Sequence, residues 1–191
     1  AKQKVRQGDT EFYFSNKKDR GGFSNLNFTV NGKSQLIEYD TENPDIALLK
    51  LNKSVAPGEY IVIKTPFTLK IPASFSRLGH VKESYQMTQW YPKPAVYDAD
   101  GWHPMPYLDM GEFYSEYGSF DVSITLPENY IVAATGELQT ASEKTFLEEQ
   151  VIRSTEALKN IKPDAPLTID TFPASSATTK TLRYTTNQVH D

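Results

Sequence analysis

The chain contains no cysteine, and its only histidines are His80, His103 and His190. The lack of cysteine excludes disulfides and thiolate metal sites within these residues, and it removes the usual sign of a redox compartment. Zinc sites need several ligands close together, commonly histidines at short spacing. No two histidines are neighbours here, and the helical His-Glu-x-x-His pattern of metalloproteases is absent. We therefore predict that this chain holds no cofactor and cleaves no peptide by itself.

Clustered positive charge and long apolar runs are missing as well. The formal net charge is −4, and lysine and arginine are scattered along the chain. A nucleic-acid-binding protein neutralises phosphates with grouped basic side chains, so the composition argues against a nucleic-acid partner. A transmembrane helix needs about 20 consecutive apolar residues. The sequence has no such run, so we predict no membrane span.

Aromatic residues are abundant, and they concentrate in residues 86–117, which contain both tryptophans. This aromatic stretch also contains four prolines, which fix φ and remove backbone donors, so it does not predict a regular helix or strand. Asp100-Gly101 indicates a turn. Long ordered loops are uncommon and are usually functional. We therefore expect the functional site in this stretch, with scaffold on both sides.

Strand patterns flank the aromatic stretch on both sides. Before it, Leu26 and Phe28 alternate with polar residues and lead to Asn31-Gly32, the favoured pair of a type I′ hairpin turn. After it, alternation over residues 120–126 predicts a strand, with a return strand at 130–135 and a last strand at 179–185. Short strands separated by turns predict a mainly β fold, a β-sandwich of antiparallel sheets packed face to face.

One helix is predicted near residues 141–160. Thr140 and Glu143 have the spacing of a capping box, and Pro163 ends the segment. Apolar residues recur at helical spacing in between. They are Phe146, Leu147, Val151, Ile152, Leu158 and Ile161.

The aromatic stretch allows two functions besides that of a packed core. Its rings could stack on a glycan, which would make the chain a stand-alone carbohydrate-binding module with a platform of Trp90, Tyr91, Tyr97 and Trp102. Its carboxylates could form the acid/base pair of a small glycosidase. Those carboxylates are Asp98, Asp100, Asp109, Glu112 and Glu116.

Several short motifs, specific in combination, resemble the amino-terminal domain of aminopeptidase N-type zinc metallopeptidases, in the bacterial branch with a tryptophan-tyrosine-proline motif. The resemblance covers about residues 22–138. The motifs are SRLG at 76–79, QWYPK at 89–93, VYD at 96–98, GWH at 101–103, GEFY at 111–114, YG at 117–118, DV at 121–122 and AATGEL at 133–138.

The resemblance implies that residues 1–191 are a single β-rich, saddle-shaped amino-terminal domain of a larger enzyme, cut at both ends. Its partner would be the catalytic domain of the same parent chain, which would hold zinc in a His-Glu-x-x-His helix. The parent would then be a zinc metallo-aminopeptidase, secreted or periplasmic, although this chain lacks the zinc helix itself.

The resemblance also implies substrate-binding residues. In the family, a glutamate or glutamine on a loop of this domain accepts a hydrogen bond from the free α-amino group of the peptide. The matching position is Gln89, with Gln86 as the alternative, and Glu112 would add a second acceptor or brace the loop.

Overall fold

The computed structural model describes residues 8, 10–11, 13–75, 77–107, 114–159, 161 and 173–190. These residues form a mainly β structure with several antiparallel sheets and a single α-helix, which confirms the predicted class. The chain divides into two compact units, Ala1–Ser115 and Glu116–Asp191. Among the described residues, no helix is long and apolar enough to cross a membrane.

The described residues of the first unit form short strands arranged in five small antiparallel sheets. Their pairings are β1 with β7, β2 with β3 and β6, β4 with β5, β8 with β9, and β10 with β11. The strands are β1 (Gly22–Ser24), β2 (Thr29–Val30), β3 (Lys33–Ser34), β4 (Ile37–Tyr39), β5 (Ala47–Leu49), β6 (Ile63–Lys64), β7 (Thr68–Lys70), β8 (Gly79–Val81), β9 (Ser84–Gln86), β10 (Val96–Asp98) and β11 (Gly101–His103).

The predicted hairpin turn at Asn31-Gly32 is confirmed. Val30 of β2 pairs with Lys33 of β3, and the two residues between them have φ values of 47° and 77°. A type I′ turn requires positive φ at both central positions, which asparagine and glycine tolerate best. The sequence signal was strong here because the turn depends only on adjacent residues.

The second unit holds the longest strands, β12 (Tyr117–Pro127) and β14 (Thr179–His190), with the two-residue β13 (Glu137–Leu138). β14 lies between β12 and β13, antiparallel to both. Along β12, Val122 and its alternate neighbours are half-buried and the residues between them are exposed, as the apolar pattern predicts. The core of this unit includes Leu182 and Tyr184 of β14.

The return strand predicted at residues 130–135 is wrong. The edge of β12 is paired with β14 instead, where Asp121 lies opposite Thr185. Residues 130–135 carry no strand, and the Tyr184 hydroxyl donates a hydrogen bond to the carbonyl of Val132 at 3.0 Å. A remote strand therefore satisfies the backbone groups that a local hairpin would have used.

The predicted helix is present as α1 (Ala141–Lys159), but its first turn is not held by a capping box. The Thr140 hydroxyl accepts a hydrogen bond from the backbone N–H of Arg183 at 3.0 Å. The Glu143 carboxylate accepts one from Lys180 at 2.7 Å. Both capping groups are thus used for contacts with β14.

The apolar stripe of α1 is covered only near its start. Phe146 and Leu147 are half-buried, whereas the later apolar residues are exposed. The exposed members are Val151, Ile152 and Leu158, followed by Ile161 beyond the helix.

Candidate functional site

The centre of the aromatic stretch is a hairpin formed by β10 and β11. Asp98 pairs with Gly101 across a two-residue turn, and Gly101 has a φ of 106°, which favours glycine. The backbone N–H of Asp100 donates to Asp98 Oδ1 at 2.9 Å. The predicted turn is therefore correct, but the strands beside it were missed because each has only three residues.

One face of this hairpin carries two exposed aromatic rings. Tyr97 and Trp102 lie opposite each other, with ring centroids 4.9 Å apart and planes inclined by 53°. Their exposed fractions are 65% and 64%. A shallow cleft of about 400 Å³ adjoins Trp102 and is lined by Trp102, His103, Pro104, Met105, Pro106 and Tyr114. The pair is accessible to a ligand or a partner.

The other face of the hairpin is polar and packed. Val96 is buried on this face. His103 Nε2 donates a hydrogen bond to Asp98 Oδ1 at 2.7 Å, since a carboxylate can only accept. The His103 ring meets the Tyr114 ring edge to face, with centroids 5.4 Å apart. The hairpin is thus fixed from this side.

Hydrogen bonds also set the charge state of Asp98. The bond from His103 and the backbone bond from Asp100 hold the pKa of this carboxyl below its usual range. Asp98 is therefore an ionised structural acceptor. Asp109 and Glu112, further candidates for a glycosidase pair, lie outside the described residues, so that alternative stays a prediction.

The other two predicted aromatic residues are in a different environment. Trp90 and Tyr91 are half-buried and pack edge to face, with centroids 5.5 Å apart. The Trp90 ring also lies 6.2 Å from that of Phe67, beside strand β7. This packing fixes the loop that follows Gln89.

The two glutamines implied by the resemblance differ in setting. Gln86 is the last residue of β9, pairs with Gly79 and is exposed. Gln89 lies three residues further on, in the loop between β9 and the proline-rich segment, and is half-buried. Glu112 lies outside the described residues.

Gln89 has left-handed backbone geometry, with a φ of 52°. Such a conformation costs a residue with a Cβ roughly 1–2 kcal/mol. The other described non-glycine residues with positive φ each have a local reason for that conformation. Asn25 and Asn31 are asparagines, Lys82 is in the β8–β9 turn, and Gln188 lies near the register shift opposite Gly118. Gln89 is neither an asparagine nor part of a hairpin turn or a shifted strand pair.

The residue before Gln89 is also unfavourably placed. The Thr88 hydroxyl oxygen is buried and has no hydrogen-bond partner among the described residues. Leaving such a group unpaired costs about 1–3 kcal/mol. Two unfavourable features on adjacent residues are typical of a functional loop rather than of scaffold. No sequence pattern indicated Thr88, because an unpaired hydroxyl is a property of tertiary packing.

A polar contact joins the two ends of the aromatic stretch within the first unit. Lys93 Nζ donates to Ser115 Oγ at 2.6 Å, and Ser115 is buried. Lys93 follows Pro92, whose ring restricts the chain just after Trp90 and Tyr91. The loop that contains Gln89 is therefore followed by a rigid segment.

A larger cleft, of about 580 Å³, lies elsewhere in the first unit, beside β2 and β3. Its polar side chains include Asn31, which accepts a hydrogen bond from the backbone N–H of Val62, and Glu59, which accepts one from Ala56. These bonds hold loops in place. The larger cleft therefore lies outside the aromatic stretch, where the site is predicted.

In the part of the chain that the structure describes, no group of three or more His, Asp or Glu side chains is placed to hold a metal ion. The site features that the structure describes are the half-buried Gln89 and the exposed rings of Tyr97 and Trp102. Comparisons with protein-family models, curated proteins and solved structures find nothing similar to this chain.

Proposed function

We propose that this chain is the non-catalytic amino-terminal domain of a zinc aminopeptidase, and that Gln89 binds the free α-amino group of the peptide substrate. The observation that carries the proposal is the strained loop at Thr88 and Gln89. Strained residues cluster at active sites, ligand clamps and switch regions, which is why this loop supports a binding role.

The chemistry of an amino terminus explains why a fixed acceptor is useful. A peptide ammonium that leaves water must be paired, because an unpaired buried charge is very costly. A glutamine side-chain oxygen accepts such a hydrogen bond without adding a charge of its own. A site built around that bond discriminates strongly against a substrate that cannot make it. This would restrict cleavage to peptides with a free amino terminus.

Gln89 suits this role better than Gln86. Its loop is fixed on the carboxyl side by the packing of Trp90 against Phe67 and by Pro92. Gln86, although its backbone pairs with Gly79, ends an exposed strand, and its side chain is more exposed than that of the half-buried Gln89. Fixed flanking residues matter because binding energy is lost when side chains must be ordered on association.

The proposal assigns the remaining chemistry to a catalytic domain of the parent chain. That domain would hold the zinc ion and perform hydrolysis, and this chain would shape one side of the active site. A secreted or periplasmic location is part of the same proposal.

The decisive experiment uses the full-length parent protein. Loss of one hydrogen bond to a charged group costs about 1.5–3 kcal/mol, so Gln89→Ala should lower kcat/KM by about 10- to 150-fold. Gln86→Ala is the matched control and should change it little. Inhibitors that lack the amino group should bind both variants and the parent equally. Equal kcat/KM for Gln89→Ala and the parent would refute the role of Gln89.

A second candidate function is carbohydrate binding by the exposed Tyr97–Trp102 pair. Accessible aromatic faces beside a shallow cleft favour it. Under this alternative, glycan-array binding should be lost in Trp102→Ala and retained in Gln89→Ala. An array on which the parent protein binds no glycan would dismiss it.

A further inference from the structure

We infer that Thr88 is a positioning residue for Gln89: its buried hydroxyl, which has no partner among the described residues, gains one when the loop holds a peptide amino terminus. This inference rests on the proposed function and deepens it. It assigns a role to a side chain that neither the motifs nor the resemblance singled out.

The first step of the argument is the position of the hydroxyl. Its oxygen is buried, so a substrate cannot contact it directly. Thr88 must therefore act through the backbone that it shares with Gln89. The two residues are joined by one peptide unit, and any rotation of that unit changes φ of Gln89.

The second step is that this peptide unit has a reason to rotate. A half-turn of the peptide plane takes φ of Gln89 from 52° to about −128°, since 52 − 180 = −128, and a negative φ is the sign that residues with a Cβ favour. It also redirects the carbonyl of Thr88 and the N–H of Gln89. One movement can thus relieve the left-handed strain and change the polar groups around the hydroxyl.

The third step is that the neighbouring elements confine the movement to this loop. On one side β9 is paired with β8 through Gln86 and Gly79. On the other side Trp90 packs on Phe67 and Tyr91. The loop between them is short, so a change at Thr88 is passed to the side chain of Gln89 rather than dissipated.

The test compares Thr88→Val with Thr88→Ser in the full-length protein. Valine replaces the hydroxyl with a methyl group of similar size, whereas serine keeps the hydroxyl. Removing an unpaired buried hydroxyl is neutral or stabilising, so Thr88→Val should not lower Tm. It should raise KM about tenfold with little change in kcat, because the lost contact supports binding rather than the chemical step. Thr88→Ser should behave as the parent.

The outcomes distinguish a failure of the role of Thr88 from a failure of the proposed function. A lower Tm for Thr88→Val would show that the hydroxyl is already paired and would overturn the inference, whatever the kinetics. An unchanged KM would overturn it as well. If Gln89→Ala lowers kcat/KM while Thr88→Val does not raise KM, only the role of Thr88 fails. If neither variant changes the kinetics, or the full-length protein cleaves no peptide, the proposed function fails too.

Discussion

Glu143 in the first turn of α1 and Lys180 on β14 form an ion pair, with Nζ and Oε1 2.7 Å apart. Glu143 is only 4% exposed, and the same Lys180 ammonium lies 4.8 Å from the centre of the Phe146 ring. The contact fixes the start of the helix to the central strand of the second unit.

Breaking this ion pair should therefore lower the free energy of unfolding. Removing one partner of a buried pair leaves an uncompensated charge, at about 3–5 kcal/mol. Because Lys180 keeps some exposure, we expect Lys180→Met to lower the free energy of unfolding by roughly the lower figure. Urea unfolding of Lys180→Met, Glu143→Leu and the double variant measures the coupling. The double variant should lose less than the sum of the two single variants.

The exposed pair of Glu156 and Lys159 on the same helix is the matched control. Exposed pairs contribute about 0–1 kcal/mol, so Lys159→Met should have little effect on unfolding. Equal losses for Lys159→Met and Lys180→Met would contradict the importance of burial.

Two leucines of the second unit should respond very differently to truncation. Leu182 on β14 is 1% exposed, whereas Leu158 on α1 is 64% exposed. A buried Leu→Ala change costs about 2–5 kcal/mol, so Leu182→Ala should strongly lower the midpoint of urea unfolding. Leu158→Ala should not, since alanine is also a good helix former. Equal unfolding midpoints for the two variants would place the core elsewhere.

A polar substitution tests the facing strand in the same way. Val122 of β12 lies opposite the buried Tyr184 of β14. A charged carboxylate at this inward position would be desolvated without a partner. Val122→Asp should unfold the second unit or nearly so, as measured by circular dichroism. A melting temperature within about a degree or two of the parent, far below the shift of about 4–8 °C per kcal/mol expected for a small domain, would refute the inward assignment.

The β10–β11 hairpin should weaken at acid pH. The pKa of Asp98 is lower in the folded chain than in the unfolded one, because His103 and Asp100 donate hydrogen bonds to it. Its stabilisation is present above the unfolded pKa, about 3.9, and is lost as pH falls through the folded pKa. The Tm difference between the parent and Asp98→Asn should thus shrink below about pH 4.

A second variant isolates the cause of this pH dependence. The Tyr114 hydroxyl lies 3.5 Å from Asp98 Oδ2, a weak contact compared with the 2.7 Å bond from His103. Tyr114→Phe should therefore keep most of the pH dependence, and His103→Phe should remove most of it. If Tyr114→Phe removed more of the pH dependence than His103→Phe, the lowered pKa of Asp98 would not be due mainly to His103.

The exposed aromatic pair should promote self-association of the chain when it is studied alone. The ring of Trp90 is half-buried, so Tyr97 and Trp102 are the more accessible of the four platform residues. Exposed apolar patches favour contact between molecules. Sedimentation velocity should show concentration-dependent association that decreases in Trp102→Ser. The control is Tyr60→Ser, which removes an exposed ring in another region and should not reduce it.

Local features of the structure followed from the sequence because they depend on near neighbours. The Asn31-Gly32 turn, the turn at Asp100-Gly101 and the alternation along β12 need only residue types and their spacing. The extent of α1 was predicted to within one residue at its end, since helical periodicity and Pro163 both mark it. The sequence also indicated the aromatic stretch and its two glutamines as candidates. It did not indicate their burial or their neighbours.

Tertiary structure decided the features in which distant residues compete for the same groups. β12 pairs with β14 rather than with residues 130–135, because a remote strand offers it a longer ladder of hydrogen bonds. Thr140 and Glu143 contact β14 instead of capping their own helix. Trp90 packs on Phe67 while Trp102 stays exposed, although the sequence gives the two tryptophans similar surroundings. The unpaired Thr88 hydroxyl belongs to the same class, because only the folded chain determines which polar groups come within reach.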